Sequence, residues 1–260
     1  MTDLDACLPP APLRIAAAAI ACFAGWSTAD TVTVGPGGDF ATIQAAIDAA
    51  EAGDAIEIDP GVYAESLSMR LPITLRPIAG AASGSVVIDP GGLGICVLVS
   101  GVAAPGVRLQ GLTLRDGAAG AIAGGISSSN SHVVVSDCTF ENHSGGLGGA
   151  IGIDGGSLVV QRSTFRNNAA FDGGAIDIAS GAAVEIRDSV FIDNTALSTG
   201  GAINAIASSQ VEIIGCTFVR NEAALLGGAI TMGTGAQADI ARCTFDSNHS
   251  DEFGGAIAVG

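Results

Sequence analysis

From residue 111 onward, apolar and polar residues alternate with a period of two in short runs, and the runs recur at a nearly constant interval. Ala238, Ile240, Cys243 and Phe245 form one apolar set; Val211, Ile213, Cys216 and Phe218 form the equivalent set one interval earlier. Such alternation predicts strands with one inward and one outward face. An aromatic sets the interval, at Phe140, Phe165, Phe191, Phe218 and Phe245, with steps of 25, 26, 27 and 27 residues. Three residues after each comes a polar turn residue (His143, Asn168, Asn194, Asn221, Asn248). Gly-Gly-Ala-Ile then begins at Gly148, Gly173, Gly200, Gly227 and Gly254, and a weaker copy opens at Leu114.

A unit of this size cannot bury a core by itself, so the units must stack. The pattern predicts an all-β chain: a right-handed parallel β-helix, a β-solenoid with three short strands per coil and coils about 4.8 Å apart. The turn Asn suits a left-handed backbone and can extend its amide along the stack. Gly-Gly answers a need for positive φ or close backbone approach. Before the repeats, residues 39–53 carry Phe40, Ile43, Ile47 and Ala50 at helical spacing, followed by a Gly stop. This predicts an N-terminal helix capping the exposed strand edges of the first coil. The organisation expected is a leader over 1–29, a cap and first coils over 30–110, and repeat coils of the same domain over 111–260.

Composition narrows the partners. The chain has 38 glycines, only 4% aromatics and a net charge of −16, and all of its ten basic residues are Arg. Nucleic acid and anionic membranes both require basic patches, so neither is an expected partner. Arg14, the apolar run Ile15–Trp26 and the small residues Ser27-Thr28-Ala29 read as a cleavable export signal, which places the chain outside the cell, at its surface or in the periplasm. No later segment is apolar for long enough to predict a membrane-spanning helix. Loss of the leader removes Cys7 and Cys22 and leaves Cys96, Cys138, Cys216 and Cys243. Cys216 and Cys243 fall at one inward position on adjacent coils, where Ser163 and Ser189 also occur. The interchange with Ser favours free thiols over a disulfide. The sequence stops within a repeat at Gly254–Gly260, which predicts an open coil edge where the stack continues or another copy adds.

The run Thr42-Ile43-Gln44-Ala45-Ala46-Ile47-Asp48-Ala49-Ala50, with Gly53-Asp54-Ala55-Ile56-Glu57-Ile58 and Pro60-Gly61-Val62-Tyr63-Ala64-Glu65, resembles the entry segment of the pectin-lyase-like superfamily. The repeats resemble those of polymorphic outer membrane proteins, which combine Gly-Gly-Ala-Ile with Phe-x-x-Asn. The two resemblances together cover most of 31–260. They imply either a non-enzymatic surface module for adhesion or for glycan or protein binding, or a polysaccharide lyase or hydrolase. The adjacent Asp pair and Gly-His-Gly of polygalacturonase-like enzymes do not occur, nor does the Gly-x-x-Asp-Phe-Ile-Phe stretch of pectin-esterase-like ones. The binding module is therefore the leading expectation.

Register turns scattered residues into columns. Six places before the aromatic stand Glu185, Glu212 and Asp239 on successive coils, a candidate cation-binding column of the oxygen-rich kind that Ca²⁺ prefers; no other cofactor is expected. Three places before it, Asp137, Arg162 and Asp188 alternate in sign and predict a surface ion-pair ladder. The outward position after Gly-Gly-Ala-Ile reads Asp177, Asn204 and Thr231. By the superfamily resemblance this strand lines a groove, which makes these three the candidate glycan contacts, on a face expected to be solvated. His132, His143 and His249 share no metal-ligand spacing with the cysteines, and His143 replaces the turn Asn.

Overall fold

The computed structural model describes residues 29–260, so the expected leader lies outside the described residues apart from Ala29. The described chain is a stack of parallel strands in three sheets of 15, 8 and 6 strands. A regular coil runs Ile176–Ala179, Ala183–Arg187, Val190–Ile192, Thr195–Ala196. Its first two segments share the large sheet, so each coil lays its strands on three sheets, as the repeat predicts, with the first strand broken in two here. The Ile151–Gln161 strand spans both of those segments without a break.

Pairing follows the register read from the repeat. Phe140 pairs with Phe165, Phe165 with Phe191, Phe191 with Phe218 and Phe218 with Phe245. The rings stack face to face, 4.7 to 4.9 Å apart, and the first four are fully buried. Aliphatic columns fill the remaining interior, including Val184–Val211 and Ile186–Ile213. The steps lengthen from 25 to 27 residues by two additions. One residue enters the turn after Ala179 and another enters between Ala196 and Thr199.

The turn Asn extends its amide along the stack as expected, but it is not the left-handed residue. The left-handed residue is the one before it (Asn142, Asn167, Asp193, Arg220, Ser247), each with φ between 50° and 58°. The Asn itself is buried and joins coils. Asn194 Oδ1 accepts from the Asn168 backbone N–H at 3.1 Å, and its Nδ2 donates to the Phe165 carbonyl at 3.1 Å. Asn221 repeats both bonds one coil on. Burial demands such partners, because an unpaired buried amide costs about 1–3 kcal/mol. His143 reproduces the pattern with a ring: Nδ1 accepts from Gly117 N–H and Nε2 donates to the Leu114 carbonyl, both at 3.0 Å. Gly-Gly is required twice over. Gly200 has φ +66°, and a Cβ on Gly201 would lie 2.1 Å from the Gly228 carbonyl oxygen.

At the other end, the helix Ile43–Ala49 buries Ile43, Ala46 and Ile47 against the first coils. It is shorter than its apolar spacing suggested, because Phe40 bridges back to Val34 as strand. Thr42 caps its start, and the Glu65 carboxylate accepts from the free N–H groups of Ile43 and Gln44 at 3.0 and 2.9 Å.

Candidate functional site

Among the described residues, the four cysteines are thiols. Burial pushes the Cys138 thiol up to about 12 and the Cys216 thiol up to about 11. Between Cys138 and Cys216, the hydroxyls of Ser163 and Ser189 accept from the backbone N–H of the preceding coil's ladder residue. The ion-pair ladder forms between Asp137 and Arg162, which meet through two bonds of 2.8 Å. Similar pairs join Glu141 to Arg166 and Asp193 to Arg220 between coils.

Glu185, Glu212 and Asp239 do stand in register on one outer face, in a broad depression of about 600 Å³. The chain supplies a counter-charge to two of the three. Arg187 reaches from its own coil to Glu185 and, at 2.8 Å, to Glu212. The sequence reading of that column overlooked an arginine two residues away on the same outward face. Nearby, His132 Nδ1 hydrogen-bonds the Ser157 hydroxyl of the next coil.

The second column departs further from expectation. Asp177, Asn204 and Thr231 point away from the core, yet each is at most 4% exposed. The link between the turn Asn and Gly-Gly folds beside this strand and roofs it. The Leu226 carbonyl accepts from the Thr231 hydroxyl at 2.8 Å, and the Thr199 hydroxyl lies 3.0 Å from Asn204 Oδ1. Asn204 Nδ2 in turn donates to Asp177 Oδ1 at 2.7 Å. The expected solvated face is therefore, at these three residues, a buried polar ladder. Burial pushes the Asp177 carboxyl up to about 6; the Asn204 bond opposes the shift and the Asp172 charge adds to it.

On the two coils below Asp177, small residues occupy the same column, Gly152 and then Ser127, in direct register with it. Here the roof and the strand leave a groove of about 330 Å³ between them. Ile122 and Leu147 form one wall, Ser127, Ser129 and Asp154 form the floor and rim, and Asp177 closes the upper end. No Arg or Lys lines it. Of the three candidate glycan contacts, this groove receives Asp177 alone.

The links also carry exposed apolar side chains. Leu147, Phe171, Leu197, Leu225 and Phe253 fall between turn residue and Gly-Gly on five successive coils, with Ile122 one coil before. All six are at least 40% exposed, and they make up half of the exposed large hydrophobic residues in the described chain. A sequence signal existed: each link contributes one such residue at nearly the repeat interval.

The fold and its register place this chain in a known class. It belongs to the family described as the right handed beta helix region, which matches residues 79–251. No curated protein matches it. Among solved structures it is similar to an alginate lyase from Paenibacillus sp. str. FPU-7, at 16% identity and a TM-score of 0.40, over 85% of this chain and 99% of that one.

Proposed function

We propose that this chain is an exported β-helix module that binds glycan along the edge formed by its links, without cleaving it. The row Ile122, Leu147, Phe171, Leu197, Leu225 and Phe253 carries this reading. One large apolar side chain left exposed on the link of each successive coil marks this side of the stack as a surface that something covers. Thr195, Asp172 and Glu222 of the same links add hydroxyl and carboxylate groups. That mixture suits sugar rings, whose C–H faces are apolar and whose rims are hydroxyls. Export rests on the leader-like run Ile15–Trp26, and a surface setting on the resemblance of the repeats to polymorphic outer membrane proteins.

Immobilised polysaccharides offered to the full chain test the proposal. Retention is expected, with a loss of roughly tenfold or more in affinity for the double substitution Phe171→Ser, Leu197→Ser. Equal retention of that variant would overturn the assignment of the edge. One observation favours the second reading, polysaccharide cleavage: Asp177 is a buried carboxyl held partly protonated beside an open groove, as a general acid requires. Shortening of the polysaccharide on incubation, abolished by Asp177→Asn, would establish that reading in place of the first.

A further inference from the structure

The groove beside Ser127 and Ser129 is a distinct feature of the edge, and its chemistry is selective. It has one apolar wall, Ile122 and Leu147, facing a floor and rim of hydroxyls and carboxylates. Its volume of about 330 Å³ stands at the small end of the range for ligand sites, roughly 300–1,000 Å³. The groove is closed at one point, where the Leu147 carbonyl lies over Gly152 so tightly that a Cβ there would lie 2.7 Å from it. On the floor, Asp154 accepts from the Ser180 hydroxyl, which leaves its second oxygen for a ligand donor. At the upper end, Asn204 holds Asp177 in place.

We infer that this groove is a subsite for one uncharged sugar ring of the bound glycan, with its C–H face against Ile122 and Leu147 and its hydroxyls donating to Asp154 and Asp177. The inference rests on the glycan reading and deepens it by naming the sugar class. Carboxylates accept hydroxyl protons well, and a carboxylate pair is suited to adjacent hydroxyls. The same groups reject acidic sugars. A uronate or sulfated sugar would bring a further negative charge beside Asp154 and Asp177 with no cation in the lining to meet it. The net charge of −16 adds to that repulsion at a distance.

The test is calorimetric titration of the full chain with neutral oligosaccharides (glucan, galactan, mannan and xylan fragments) and with oligouronates of equal length. Neutral oligosaccharides are expected to bind and oligouronates to bind at least tenfold more weakly. Ser129→Trp fills the groove and is expected to cost at least tenfold in affinity for the neutral ligand. Ser100→Trp places the same bulk in the same outward column one coil away, as the register of Ser129 with Ser100 shows, and is expected to bind as the parent does. Asp154→Asn is expected to narrow the preference against oligouronates. If glycan binds and is lost with Phe171→Ser, Leu197→Ser but not with Ser129→Trp, the groove inference falls and the edge stands. Preference for oligouronates in the parent chain also overturns the inference alone. If neither class binds, the glycan reading itself falls.

Discussion

The outward column that follows Gly-Gly-Ala-Ile exists in two versions within one molecule. In the lower coils the groove opens along Ser127, Ser129 and Asp154, while the Leu147 carbonyl lies close over Gly152. In the upper coils Asn204 and Thr231 fill the equivalent space and bond to the roof. Strand register is the same in both, but the links over Asn204 and Thr231 are one residue longer than those over Gly152 and Asp177. The open and filled versions thus differ both in the column side chain and in the length of the link, within one fold. Asp177 sits at the boundary, anchored to the filled side and facing the open one.

The two versions differ also in their response to acid, and the largest expected effect lies there. His143, on the open side, occupies the ladder position that Asn fills above it. Burial pushes it down to about 4, so it is neutral near pH 7. Below about pH 6.5 an unfolded chain takes up a proton that the folded chain refuses until about pH 4, so acidification through this window destabilises the fold. His143→Asn is expected to preserve the two ladder bonds and to recover about 3 kcal/mol at pH 4, with little change at pH 8. Urea unfolding at the two pH values measures the difference.

Asp177 has the opposite sign. Its raised value means that the folded chain keeps a proton which the unfolded chain releases from about pH 4 upward. Stability is lost as pH rises toward 6 and stays lost above it. Asp177→Asn keeps an oxygen to accept from Asn204 and is expected to gain up to about 3 kcal/mol at pH 8 and little at pH 3.5. The smallest effect sharpens the contrast between the versions directly. Gly152→Ala forces the Leu147 carbonyl to move and is expected to cost about 1–2 kcal/mol in urea unfolding.

Much of this was legible in the sequence because a stacked fold converts periodicity into contact. The aromatic and Asn positions fixed which residues meet, and the stacked rings, the Asn ladder and the Asp137–Arg162 pair followed from register alone. The burial of Asp177, Asn204 and Thr231 was not legible. Alternation tells inward from outward, but it does not tell outward into water from outward under a roof. That depends on how the link between Asn and Gly-Gly folds, and link residues obey no period. Arg187 was hidden for another reason: columns were read along the stack, whereas its charge acts across neighbouring columns. The apolar row was in plain view but belonged to segments without strand periodicity.

The Asn ladder has a consequence for how such a chain assembles. Each coil's turn N–H finds its acceptor on the side-chain oxygen of the coil that follows, while the amide N–H₂ reaches back to the coil before. The same N–H₂ also donates forward to the next Asn oxygen, so each Asn ties its coil to both neighbours, and a newly laid coil presents unanswered donors until its successor arrives. Addition of a coil out of register leaves those donors and the incoming amide unpaired inside the stack. Such a column therefore penalises a coil laid out of register by the cost of buried unpaired amides, about 1–3 kcal/mol for each.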